Sequence, residues 1–114
     1  MKKIVGEEMG TRANIRIEYK GSTICAKYIN IDGHIENWAP KLIVALNQTT
    51  PDSILKNKQL LKFIFSDYFG DDNLDYVCDV DISDDCYKIT IHRFKKLIFE
   101  GTLEEFSAKY DDIY

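Results

Sequence analysis

Arg12-Ala13-Asn14-Ile15-Arg16-Ile17-Glu18-Tyr19-Lys20-Gly21-Ser22-Thr23-Ile24-Cys25-Ala26-Lys27-Tyr28-Ile29-Asn30 is the stretch whose reading decides the fold. From Arg12 to Lys20 the chain alternates, with Ile15, Ile17 and Tyr19 on one side and Arg16, Glu18 and Lys20 on the other. A period of two is the signature of a strand with one buried face. Gly21-Ser22 supplies a tight turn, and Thr23 to Asn30 returns with Ile24, Ala26 and Tyr28 expected to point inward. Alternation and turn chemistry agree on an antiparallel hairpin.

Working outward, Asp32-Gly33 marks the next turn, because glycine accepts a positive φ without steric cost. Asn37 is expected to cap a helix with Pro40 in its first turn, and Trp38, Leu42, Ala45 and Leu46 share one helical side. That helix should stop near Gln48. Thr50-Pro51-Asp52 reads as a second start: a hydroxyl cap, a first-turn proline and an acid at the positive end of the helix. Ile54, Leu61, Ile64, Phe65 and Tyr68 continue at helical spacing towards a stop at Gly70, with Lys56-Asn57-Lys58-Gln59 as the place where this helix divides. Strands then return. Tyr76, Cys78, Val80 and Ile82 alternate with Val77, Asp79 and Asp81; after the turn at Ser83-Asp84-Asp85, Tyr87, Ile89 and Ile91 alternate with Lys88, Thr90 and His92. Leu97 to Glu100 forms a fifth strand, and Thr102 stands in capping-box relation to Glu105, opening a last helix through Leu103, Phe106 and Tyr110. The order ββ-αα-βββ-α, with strands joined by tight turns, is that of a single α+β domain over residues 1–114, its mainly antiparallel sheet packed against two or three helices. Residues 1–10, which include Gly6 and Gly10 and show no period, form a loose lead.

The composition suits such a domain. A chain of 114 residues with 45% apolar and 30% charged residues buries enough surface for a core without disulfide or metal staples. The longest apolar run, Leu42 to Leu46, is far short of a bilayer span. Glu7-Glu8 follows Ile4-Val5 too closely for a signal peptide, so a cytoplasmic location in the host cell is expected. Cys25, Cys78 and Cys86 are odd in number and lack paired spacing, which fits reduced thiols rather than a disulfide framework or a zinc site.

The net charge of −4 hides an asymmetry. Residues 1–69 carry ten Lys/Arg against seven Asp/Glu, while residues 70–114 carry five against twelve. Asp71, Asp72, Asp75, Asp79, Asp81, Asp84 and Asp85 supply most of that excess. As a surface, they would steer association with a basic partner. As a metal site, Asp79 and Asp81 would project from one strand face about 7 Å apart, two strand rises; the spacing matches no calcium loop, and no metal is expected. The plain alternative is a solvated strand face between polar turns. His34, between Asp32 and Glu36, has the residue types of an acid–base pair, but there is no nucleophile in a recognisable elbow; a surface-turn histidine is the simpler assignment. His92, Arg93, Lys95 and Lys96 surround Phe94 as the basic cluster of the acidic half, suited either to an anion or to a solvated edge. An acidic pI of about 5.1 and the lack of glycine-rich or basic-helix motifs argue against direct nucleic-acid binding.

Met9-Gly10-Thr11-Arg12-Ala13-Asn14-Ile15 resembles the opening of a diffuse group of small phage and prophage proteins that begin Met-Gly-Thr-Arg-small-x-Ile. The resemblance extends over residues 9–34, through the hairpin to Tyr28-Ile29-Asn30-Ile31-Asp32-Gly33-His34, with a looser echo from Phe99 to Phe106. Asn30, Ile31 and His34 stand where the group's commoner form has His, Trp and Tyr. The resemblance implies an origin on a mobile element, places residues 1–8 as an extension, and supplies no catalytic residues. Size, acidic asymmetry and this resemblance together set the leading expectation: not an enzyme but an inhibitor of a host defence component. It would be anti-CRISPR-like, with its acidic residues competing for a basic nucleic-acid-binding groove and without cofactor or membrane. Two alternatives stand beside it. One is a sponge for a nucleotide second messenger, using Arg12, Trp38 and Arg93 for phosphate pairing and base stacking. The other is a metal-dependent hydrolase built on the acidic strand. A homo-oligomer is compatible with the exposed edges of an open sheet.

Overall fold

The computed structural model describes residues 11–29, 32–57, 74–83 and 86–113. Within them the chain runs β1 (Ala13–Tyr19), β2 (Ser22–Ile29), α1 (Ile35–Asn47), α2 (Pro51–Lys56), β3 (Tyr76–Ser83), β4 (Cys86–Arg93), β5 (Lys96–Thr102), α3 (Leu103–Lys109) and a 3₁₀ turn, Tyr110–Asp112. The five strands form one sheet in the order β2-β1-β3-β4-β5. Three neighbouring pairs are antiparallel, and β1 lies parallel to β3, so the α+β sheet is mixed. Parallel neighbours need a crossover connection, and here it contains α1 and α2. None of the helices among the described residues is long and apolar enough to cross a membrane. The lead at residues 1–10, the helical positions Leu61 to Tyr68 and the stop at Gly70 lie outside the described residues.

One side of the sheet and all three helices share a core. Ala13, Ile15 and Ile17 of β1, Tyr76, Cys78, Val80 and Ile82 of β3, and Tyr87, Ile89 and Ile91 of β4 pack against helical side chains. From α1 come Ile35, Trp38, Ala39, Leu42, Ile43 and Leu46, from α2 Ile54, and from α3 Phe106. Trp38 stacks on Phe106 with ring centroids 6.3 Å apart, and Phe99 and Tyr110 flank Phe106 at 5.6 and 6.2 Å. This aromatic group ties α3 to both α1 and the sheet. Two of the three predicted caps form: Thr50 caps α2 in a reciprocal pair with Ser53, and Thr102 caps α3 in a reciprocal pair with Glu105. Asn57 ends α2, inside the polar stretch expected to divide the second helix.

Several local expectations change. The first turn is Lys20-Gly21, both at positive φ, with Ser22 already paired to Tyr19, the geometry that matches strand twist in a two-residue hairpin. In β2, Ile17 pairs with Cys25 but Glu18 pairs with Thr23, leaving Ile24 as an extra residue. Ile24 packs against the core as expected, but beyond it the bulge inverts the expected phase. Cys25 and Ile29 belong with the core side, while Ala26 and Tyr28 stand opposite Arg16 and Asn14 on the other face. The helix α1 begins three residues earlier than expected, with His34 at its cap and no side-chain capping bond. Asn37 instead donates from its side chain to the Asp32 carbonyl (2.8 Å), and Pro40 sits within the helix rather than in its first turn.

The turn before α1 also works differently. Asp32, not Gly33, takes the positive φ of 67°. Gly33 is required by proximity: its N–H donates to the Thr11 carbonyl at 2.7 Å, and a Cβ there would lie 2.7 Å from that oxygen and 2.9 Å from the Ala13 nitrogen. The Gly33 carbonyl in turn accepts from the Trp38 indole at 2.8 Å, so one backbone contact fixes the start of β1, the entry of α1 and the orientation of its largest core side chain. Gly33→Ala is therefore expected to lower unfolding free energy by about 2–4 kcal/mol, because backbone rather than a side-chain tip must move. Urea denaturation of the variant checks this.

Candidate functional site

Strand alternation sends half of each strand to the face opposite the helices, and register arranges those residues in rows across the sheet. One row is Tyr28, Asn14, Val77, His92 and Leu97; the next is Ala26, Arg16, Asp79, Thr90 and Glu100; the third is Thr23, Glu18, Asp81, Lys88 and Thr102. Four carboxylates, those of Glu18, Asp79, Asp81 and Glu100, thus share one polar face with the cations of Arg16 and Lys88. Neutral-pH charge across the rows is negative.

The strongest contact on this face joins β1 to β3. Arg16 donates from Nε to Asp79 Oδ1 at 2.6 Å and from Nη2 to Oδ2 at 3.0 Å, a bidentate pair with side chains only 22% and 19% exposed. Glu18 lies 3.9 Å from the same guanidinium and accepts a hydrogen bond from the Thr23 hydroxyl. At the β4–β5 side, Lys88 Nζ meets Glu100 Oε2 at 2.7 Å in solvent. That bond raises the affinity of Lys88 for its proton and lowers that of Glu100. Asp81 is placed differently. Partial burial first, and then the neighbouring Asp79 charge, push its carboxyl above the usual aspartate value of 3.8, against the opposing pull of Lys88 and Arg16. The Cys78 thiol on the core side is pushed up by burial, so it is an inert packing group. Cys25, Cys78 and Cys86 all remain thiols.

No family model matches this chain, and neither a curated protein nor a solved structure is significantly similar to it. Its chemistry rests on its own geometry.

The structure sorts the residues singled out by sequence. Of the acids, Asp79 and Asp81 share the polar face, and Asp75 accepts from the Arg12 backbone N–H at 3.3 Å, at the start of the paired strands. Asp71, Asp72, Asp84 and Asp85 lie outside the described residues. Asp79 is engaged by Arg16, and among the described residues no group of three or more His, Cys, Asp or Glu side chains is arranged to hold a metal. Arg12 and Arg93 approach one corner, since Arg12 adjoins Asp75 while Arg93 is the register partner of Tyr76 and lies 5.5 Å over its ring. Trp38 is not with them; it is 1% exposed and stacked in the core, without a free ring face for a base. His34 is exposed and shares a 2.9 Å hydrogen bond between its Nε2 and Thr11 Oγ1.

Sequence reading missed Arg16, Glu18, Lys88 and Glu100 as members of the acidic strand's surroundings. Alternation placed each on a polar side, but only the register shows that those sides are one surface. It also missed Asn14, fully buried on the polar face with neither its amide nitrogen nor its amide oxygen hydrogen-bonded.

Two outcomes follow from these charges. Arg16→Leu leaves the partly buried Asp79 carboxylate without its main counter-charge and is expected to cost about 1–3 kcal/mol, with Asp79→Asn in the same chain recovering part of it; a double-mutant cycle in urea measures both. Asp81 holds its proton more tightly in the native than in the unfolded state, so its contribution favours folding below pH 3.8 and is lost as pH rises through the raised native value. Asp81→Asn should therefore match or exceed the parent at pH 7, by about 1–2 °C in Tm, with the difference vanishing near pH 3. Thermal melts across that range test the sign.

Proposed function

We propose that this chain is a stoichiometric binding protein of a mobile genetic element, whose acidic sheet face occupies a basic, nucleic-acid-binding groove on a host defence protein. The observation that carries the reading is the convergence of Glu18, Asp79, Asp81 and Glu100 on one face, in excess over Arg16 and Lys88. Charges mounted on paired strands are already ordered, so little conformational entropy is lost when a partner arrives. Their field acts over about a Debye length and speeds encounter with a cationic surface more than it deepens the final affinity.

Asp81 gives the face a particular bias. The burial and like-charge repulsion that raise its proton affinity are penalties on its ionised form. An approaching Lys or Arg relieves that repulsion, so the face gains electrostatically by being covered by cations. A nucleic acid, itself negative, would be repelled by this face, in keeping with an expectation of a protein partner.

The test is a competition assay with an RNA-guided nuclease of the Cas type and a labelled DNA target. Equimolar protein is expected to displace the DNA, less effectively as salt rises. Asp81→Asn combined with Glu100→Gln should weaken inhibition by about tenfold, roughly 1.4 kcal/mol, while thermal melts show the fold intact. An intact double variant that inhibits equally, or a parent that never competes, overturns the reading.

A further inference from the structure

The polar face changes sign along its strands. Away from the Glu18–Asp81–Lys88 row, the Asn14–Val77–His92–Leu97 row runs towards the β4–β5 turn, where the basic cluster of the sequence is gathered. A cavity of about 380 Å³ opens there, bounded by Arg16 from β1, Val77 and Asp79 from β3, His92 from β4, and Lys95 from the turn. Among the described residues of this wall the one carboxylate, Asp79, is already neutralised by its bidentate Arg16. Lys95 makes no ion pair with a described residue, so its ammonium leaves the described part of the wall with a net positive charge beside the His92 imidazole.

The turn that presents Lys95 is under strain. Phe94 and Lys95 take φ values of 50° and 70° between paired Arg93 and Lys96. This left-handed conformation costs an ordinary L-residue about 1–2 kcal/mol relative to its right-handed counterpart, and asparagine or glycine is the usual occupant. The surroundings enforce it: the Phe94 N–H donates to the Asp75 carbonyl at 3.1 Å, and the Arg93 guanidinium lies over both the Tyr76 and Phe94 rings. Held in this turn, Lys95 contributes to the cavity wall. Beside the cavity, across from Val77, sits the unpaired and fully buried amide of Asn14. An unsatisfied buried amide carries a penalty of about 1–3 kcal/mol, which marks this end of the face as shaped by something other than stability.

We propose that this cavity binds a small phosphorylated anion, with Lys95 and His92 as its principal contacts and the Arg16–Asp79 pair as its floor. Nitrogen-bearing groups converge on it from two strands and a turn, an arrangement that suits a tetrahedral oxyanion with several acceptor oxygens. The volume falls within the range of small-molecule sites and exceeds a lone phosphate, so the phosphoryl group belongs to a larger molecule. These residues differ from the carboxylates of the acidic face, and the site stands or falls separately from that face's partner.

Inorganic pyrophosphate is the probe, titrated at constant ionic strength against sodium chloride while Tm is followed. A saturable rise is expected, reaching about 2.7 kcal/mol of added stability at a hundredfold excess over Kd. Lys95→Asn with His92→Gln removes the contacts while asparagine relieves the turn, so this variant should be folded at least as firmly as the parent and bind at least tenfold more weakly. Lys88→Gln, at the other end of the face, should bind like the parent. A parent with no saturable response overturns the proposal, as does a folded double variant that responds equally.

Discussion

The parallel seam between β1 and β3 is the constraint on which the rest of this molecule depends. It aligns Ile15 with Cys78 and Ile17 with Val80 on the core side while setting Arg16 opposite Asp79 on the other. Slipping this register by one residue would send the isoleucines to the polar face and Arg16 into the core. The hydrophobic pattern and the bidentate ion pair therefore specify the same register independently. The pair's contribution to specificity is clearer than its contribution to stability, because desolvating two charges offsets much of their attraction.

The polar face combines two electrostatic characters. Around Asp81, carboxylates crowd and each makes the next harder to ionise. Near Lys95, the only carboxylate among the wall's described residues is already satisfied, and the balance of those residues turns positive. Formal net charge averages over both and describes neither. With the helices packed against the opposite face, these surface groups can vary without disturbing the aromatic contacts of Trp38, Phe99, Phe106 and Tyr110.

Most of the architecture was legible because it rests on local chemistry. Alternation identified β1, β3 and β4, and the Thr50 and Thr102 caps announced α2 and α3 within a few residues. What escaped depends on distant partners. The Ile24 bulge is invisible until β2 is laid against β1, and the need for Gly33 arises from Thr11 and Ala13, twenty or more residues earlier, rather than from its own φ. Trp38 illustrates the same limit. Its place on the apolar side of α1 was legible, but the partner of its indole N–H, the Gly33 carbonyl, was not. That bond lets the whole ring lie in the core, away from the base stacking that one alternative gave it. The acidic site was half legible: Asp79 and Asp81 stood out as a pair, but their neighbours come from strands whose order no local pattern encodes.

The same seam has a consequence in time. Residues 16 and 79 meet across 63 positions of chain, whereas β3, β4, β5 and α3 follow one another through short turns. Closing a long loop is entropically unfavourable before its contacts form, so topology of this kind slows folding. The C-terminal strands can assemble on local contacts, while the N-terminal hairpin must await the crossover before β1 gains its central position. During synthesis that hairpin emerges first, with its future β3-facing edge unpaired. Its alternating Asn14, Arg16 and Glu18 keep one side of that waiting edge polar, a safeguard against premature association that is spent once β3 arrives.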